Sequence, residues 1–133
     1  MKLYKDFNIS KNHKRSIILI GNFDGVHVGH QKLFKLANSY KKKFNLNIGV
    51  LTFEPMPKMF FNKDIKNFRI SNINQKNIIL KSLGVDFVIT QKFDKKFSKI
   101  KSGYFIKEIL SKKLEPKYIF VSNNFRFGNK REG

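Results

Sequence analysis

The stretch Ser16-Ile17-Ile18-Leu19-Ile20-Gly21-Asn22-Phe23-Asp24-Gly25-Val26-His27-Val28-Gly29-His30 decides how this chain folds. Ile17 to Ile20 are consecutive aliphatic residues with no polar alternation, the pattern of a strand buried on both faces. Gly21 to Gly25 interrupts that run as a tight turn. Beyond it, Leu33, Leu36, Ala37 and Tyr40 recur at helical spacing and define one apolar face, which runs into Lys41-Lys42-Lys43. Cations suit the carboxyl end of a helix, so those lysines need no other explanation. The stretch reads as strand, turn and helix, with His27 and His30 at the junction.

The same alternation continues on both sides. Residues 2–15 are polar and basic and read as a surface lead-in. Residues 47–53 predict a second buried strand, ending at Glu54-Pro55-Met56-Pro57, where two prolines impose an extended loop. Residues 71–83 predict a helix with Ile73, Leu80 and Leu83 on one side, and Gly84 is placed to cap it. A third strand follows at 85–90. Ser102 can cap a helix carrying Phe105, Ile106, Ile109 and Leu110, and a fourth strand occupies 118–121. Strands alternating with helices imply parallel βαβ units. The expected fold is therefore α/β, a Rossmann-like doubly wound parallel sheet with helices on both faces. All 133 residues fit one domain, 1–133. Its stop at Gly133, inside the polar stretch 123–133, reads as a truncated domain.

Composition narrows the class further. Hydrophobic residues at 41% are too many for a disordered chain, and no apolar run approaches the ~20 residues of a membrane helix. Met1 to Asp6 shows no secretory signal, so a cytoplasmic protein with no membrane partner is expected. Without Cys there is no disulfide framework, no thiolate metal site and no thiol nucleophile. The net charge of +19 suggests polyanionic partners, yet it comes from 24 Lys and only 4 Arg. Phe, Ile, Asn and Lys, whose codons are built mainly from A and T, make up about half the chain. Base readout favours Arg, so the lysines read as a solvated surface rather than a specific nucleic-acid interface.

In doubly wound sheets, ligands bind beyond the carboxyl ends of the strands. Three loops are expected there, after Ile20, Phe53 and Val121. In the first, the start of the helix offers unpaired backbone N–H groups and a partial positive charge to an anion. Gly29 allows close backbone approach. His27 and His30 can donate hydrogen bonds to phosphate oxygens, bonds that strengthen as charge develops in nucleotidyl transfer. A site of two His and Asp24 for a metal is the competing reading, but glycines beside a helix start suit phosphate better. No protein-held metal is expected, while Mg²⁺ carried on nucleotide phosphates is. His13 reads as structural.

Gly21-x-Phe23-Asp24-Gly25-Val26-His27-x-Gly29-His30 resembles the HxGH signature of the nucleotidylyltransferase superfamily. More narrowly, it resembles the FMN adenylyltransferase (FAD synthetase) module of bacterial bifunctional riboflavin kinase/FAD synthetases. Phe53-x-Pro55-x-Pro57, Leu83-Gly84-Val85-Asp86 and Val121-x-x-Asn124-Phe125-Arg126-Phe127-Gly128 agree with that family in the same order. An HxGH alone is weak evidence, since class I aminoacyl-tRNA synthetases carry a similar one. Four ordered motifs are specific.

The resemblance implies transfer of AMP from ATP to FMN, giving FAD and pyrophosphate with Mg²⁺ and no covalent enzyme intermediate. It assigns catalysis to His27, His30 and Asn124. It places ATP against Gly21, Phe23, Asp24, Gly25, Gly29 and Arg126. The flavin falls to Pro55, Pro57, Phe60 and Phe61. The implied partners are these small molecules alone. This sequence departs from the family at Ser122, where Gly is usual, and at Met56, where His is common. The family's later Ser/Thr-rich motif and its riboflavin kinase barrel have no counterpart within 1–133. The alternatives are a related nucleotidylyltransferase with another phosphate acceptor, and a basic nucleic-acid-binding module.

Overall fold

Burial on both faces, expected for Ile17–Ile20, follows from that strand's central place in the sheet: none of its four residues exceeds 1% exposure. The computed structural model describes residues 1–23, 28–54, 73–92 and 94–122. Its strands are β1 (Lys2–Tyr4), β2 (Ile17–Ile20), β3 (Ile48–Glu54), β4 (Phe87–Lys92) and β5 (Tyr118–Val121). They form one sheet in the order β1-β4-β3-β2-β5, with every neighbouring pair parallel. The helices are α1 (Val28–Phe44), α2 (Ile73–Ser82), α3 (Lys95–Ser98) and α4 (Ser102–Tyr104). The last runs directly into a π-helix, Phe105–Leu114, which buries Phe105, Leu110 and Leu114 and ends at Glu115 in the left-handed region (φ 47°) ahead of Pro116.

Alternate strand residues feed two cores, as a sheet covered on both faces requires. Ile17, Leu19, Ile48, Val50 and Val88 pack on one side with Phe34 and Ala37 of α1 and Leu80 of α2. Ile18, Ile20, Leu51, Phe53, Phe87 and Ile89 pack on the other with Phe97 and the π-helix. The chain thus winds outward from β2 through β3 to β4 with α1 and α2 on one face. It then crosses back to β5 with its remaining helices on the other. The expected doubly wound α/β fold is present, and its strand order reverses between β2 and β5.

One sequence expectation is corrected at the first residues. The stretch 2–15, read as a surface lead-in, supplies a fifth strand: Lys2–Tyr4 pairs with β4 in the register Lys2↔Phe87 and Tyr4↔Ile89. Phe7 and Ile9 then enter the core. The segment is pinned by His13, whose ring stacks on Phe87 at 4.4 Å while its Nδ1 lies 2.7 Å from the Tyr4 hydroxyl. Three residues are too few for periodicity to register, which is why the strand was illegible. The helix face of α1 is also rotated from expectation: Phe34 and Ala37 are buried and Leu36 is 44% exposed.

At the opposite end of the site-bearing strands, Asp86 bolts helix to sheet. Its Oδ2 accepts from the Ile48 N–H and from Lys41 Nζ, each at 2.9 Å, and Lys41 also donates to the Gly84 carbonyl at 3.0 Å. Gly84 caps α2 as expected, with φ +91°, and a Cβ there would lie 2.6 Å from Asn38 Oδ1. The Leu83-Gly84-Val85-Asp86 motif is therefore a structural joint. The expected cap Ser102, the side chains of Ile73 and Ile106, and residues 123–133 lie outside what is described.

Candidate nucleotide site at the switch point

The crevice where strand order reverses is the general ligand position in open α/β sheets. Here it lies between the carboxyl ends of β2 and β5, which run in register to Ile20↔Val121. Two backbone bonds carry the chain past those ends: Gly21 N donates to Leu51 O at 3.1 Å, and Ser122 N donates to Ile20 O at 2.9 Å. Gly21 and Ser122 then face one another. A Cβ on Gly21 would run into Ser122 Oγ, 2.9 Å from Ser122 Cβ and 3.1 Å from Phe23 Cζ. Glycine at 21 is therefore a steric requirement, made more stringent by the serine that stands opposite.

Phe23 turns the chain out of β2. Its φ of 53° is left-handed, rarely adopted by a bulky residue, and its side chain is fully buried. The ring meets the His30 imidazole edge-on at 5.0 Å and Phe34 at 5.3 Å. A strained backbone is thus held by aromatic packing that also seats a histidine. His30 is the third residue of α1 and is 9% exposed, where the first-turn N–H groups have no carbonyl partner within the helix. Asn22 Oδ1 is buried with no hydrogen-bond donor among the described residues, an acceptor available to a ligand N–H or O–H.

Of the residues singled out in sequence, the structure brings Gly21, Phe23 and His30 together, with Gly29 beside His30 at the start of α1. Asp24, Gly25, His27, Pro55, Pro57, Phe60, Phe61, Asn124 and Arg126 lie outside the described residues. Among the described residues, no three His, Asp or Glu gather in a way that could hold a metal ion.

Sequence reasoning missed Lys76. It sits in the first turns of α2 at 3% exposure, and its Nζ donates to Asn22 O at 2.9 Å and to Thr52 Oγ1 at 3.3 Å. The signal was available. Positions 73, 76, 80 and 83 share one helix face, so a lysine among Ile73, Leu80 and Leu83 is a cation on an apolar stripe.

Comparison with known proteins agrees with this geometry. A family model described as FAD synthetase matches residues 9–133. The chain belongs to the FAD synthetase family. It is 42% identical over its whole length to a bifunctional riboflavin kinase/FMN adenylyltransferase of Buchnera aphidicola (subsp. Schizaphis graminum), and 38% identical to that of Escherichia coli K12. In both cases it covers 43% of the relative. The resemblance read from the four motifs is thereby borne out. Among solved structures, a macrolide-efflux protein of Streptococcus pneumoniae superposes with a TM-score of 0.76 at 26% identity, over 98% of this chain and 43% of that one. In this FAD synthetase family member no helix among the described residues is long and apolar enough to cross a membrane.

Proposed function

We propose that residues 1–133 form an adenylyltransferase module that joins ATP and FMN into FAD. The observation that carries the reading is His30, seated by the strained Phe23 in the first turn of α1 at the β2/β5 switch point, in a chain matched by the FAD synthetase family over residues 9–133. The described site offers an anion cradle and an imidazole but no thiol nucleophile, which suits direct transfer between two phosphates.

In that reaction an oxygen of the FMN phosphate attacks the α-phosphorus of ATP. The bond from that phosphorus to the β-phosphate oxygen breaks, and pyrophosphate leaves with the electron pair. His30, and His27 by the family motif, donate hydrogen bonds to the phosphate oxygens as their charge shifts. Asn124 assists in holding the reacting groups. Gly21, Phe23, Asp24, Gly25, Gly29 and Arg126 border the nucleotide, and Pro55, Pro57, Phe60 and Phe61 border the flavin. Mg²⁺ carried on the nucleotide phosphates would neutralise their charge.

The test is conversion of FMN to FAD by the purified chain with ATP and Mg²⁺, beside a His30→Ala variant. Loss of one such donor is expected to cost ~10²–10³ in turnover. Conversion that the substitution leaves unchanged would count against the reading, as would a folded chain that binds neither substrate.

A further inference from the structure

One buried polar residue at the switch point carries a hydroxyl that the fold does not use. Ser122 is the first residue past β5, 8% exposed, and its backbone N–H donates to Ile20 O at 2.9 Å. Its hydroxyl has no hydrogen-bond partner among the described residues. A buried hydroxyl left unpaired costs stability, and alanine would fill the same place without that cost. The side chain also crowds its surroundings, standing so close over Gly21 that no Cβ fits there. Packing and stability both argue against a serine at this position.

Its setting supplies the reason. Ser122 and Gly21 stand at the carboxyl ends of β5 and β2, the strands between which the sheet order reverses. Open α/β sheets bind their ligands in that crevice. The 17-residue α1 starts close by, where His30 packs on Phe23, and its first-turn N–H groups and positive dipole end favour an anion. A second polar atom without a partner, Asn22 Oδ1, is buried one residue beyond Gly21. A serine hydroxyl can donate to a phosphate oxygen, and an amide oxygen can accept from a sugar or ribityl hydroxyl. ATP and FMN each carry both kinds of group.

We propose that Ser122 is a substrate-contacting residue whose hydroxyl donates a hydrogen bond to a phosphate of ATP or of FMN. This deepens the adenylyl-transfer reading and rests on it for the identity of the phosphate ester, but the contact is measurable without turnover. The backbone bond to Ile20 O and the close approach to Gly21 fix the Ser122 Cβ, so little freedom is left to lose when a ligand arrives. Hydrogen bonds to charged acceptors are the stronger kind, and the loss of one costs about 10- to 100-fold in affinity.

The experiment titrates wild type and Ser122→Ala with ATP, adenosine, FMN and riboflavin by calorimetry, beside thermal unfolding of both chains and FMN-to-FAD conversion by the wild type. Ser122→Ala should bind ATP or FMN about 10- to 100-fold more weakly, while its affinity for the two phosphate-free analogues and its melting temperature hold. A loss confined to ATP assigns the contact to the nucleotide, and a loss confined to FMN assigns it to the acceptor. Unchanged affinity for both overturns the proposal. So does an equal loss for adenosine or riboflavin, which would make the serine a shaper of the pocket. A lower melting temperature overturns it too, because the hydroxyl would then serve the fold. A wild type that forms no FAD while Ser122→Ala loses phosphate affinity supports the contact and counts against the adenylyl-transfer reading. FAD formation with unchanged affinities in the variant does the reverse, and a folded wild type that binds neither ATP nor FMN overturns both.

Discussion

Gly21 and Ser122 meet across the switch point so closely that a Cβ on the glycine would fall 2.9 Å from the serine Cβ and collide with its hydroxyl. The contact joins the ends of β2 and β5, the two strands between which the sheet changes direction. Gly21→Ala should therefore destabilise the chain by about 1–3 kcal/mol, the usual cost of overpacking. Gly21→Ala with Ser122→Gly should recover most of it, because only the Phe23 contact at 3.1 Å remains. Denaturant unfolding of the two single variants and the double variant measures the coupling.

Removing the Asp86 carboxylate should unlock α1 from the sheet. In Asp86→Ala the Ile48 N–H and the Lys41 ammonium both lose their shared acceptor. A buried donor left without a partner costs about 1–3 kcal/mol. Lys41→Met removes the half-exposed ion pair and the bond to the Gly84 carbonyl but leaves the Ile48 N–H its acceptor, and so costs less, about 0.5–1.5 kcal/mol. Thermal unfolding should rank the two variants in that order, with Asp86→Ala the weaker protein.

His13 should make the fold sensitive to mild acid. Burial against Phe87 and Tyr4 pushes its imidazole below the ordinary 6.5, opposed by the nearby Asp86 carboxylate and helped by Lys2. The unfolded chain then binds the proton more readily than the folded one, so this contribution to stability is complete above pH 6.5 and declines as pH falls below it. A series of melting curves from pH 8 to 5 should show a smaller acid loss in His13→Gln than in wild type. Equal losses would mean that other groups carry the acid response.

Ile119 and Val121 stand 38% and 45% exposed on β5, one of the two outermost strands of this sheet among the described residues. Exposed apolar edges template intermolecular pairing. Ile119→Lys should leave stability within about 0.5 kcal/mol and lower aggregation, read by light scattering at equal concentration.

What could be read from the sequence follows how far each signal extends. Ile17–Ile20 and Ile48–Glu54 announced themselves as continuous apolar runs, and their burial on both sheet faces is the cause of that continuity. Gly84 was legible because a helix face ended there, and its positive φ supplies the physical reason. His30 was legible through its motif. The Phe23 strain was not, since nothing in a residue's identity reveals a left-handed backbone. Lys76 was lost among 24 lysines, because its meaning depends on Asn22 and Thr52, partners far away in sequence. β1 was lost for a related reason: what makes Lys2–Tyr4 a strand is its neighbour β4.

That pairing carries a consequence for synthesis. Lys2–Tyr4 is synthesised well before its register partners Phe87 to Ile89. At ~5–20 residues per second the first strand must wait on the order of ten seconds before β4 exists to receive it. Throughout that interval β1 has no strand to pair with. The edge of the sheet formed by β1 is therefore completed only after β4 has been made, so anything that delays β4 also leaves Phe7 and Ile9 waiting for their core.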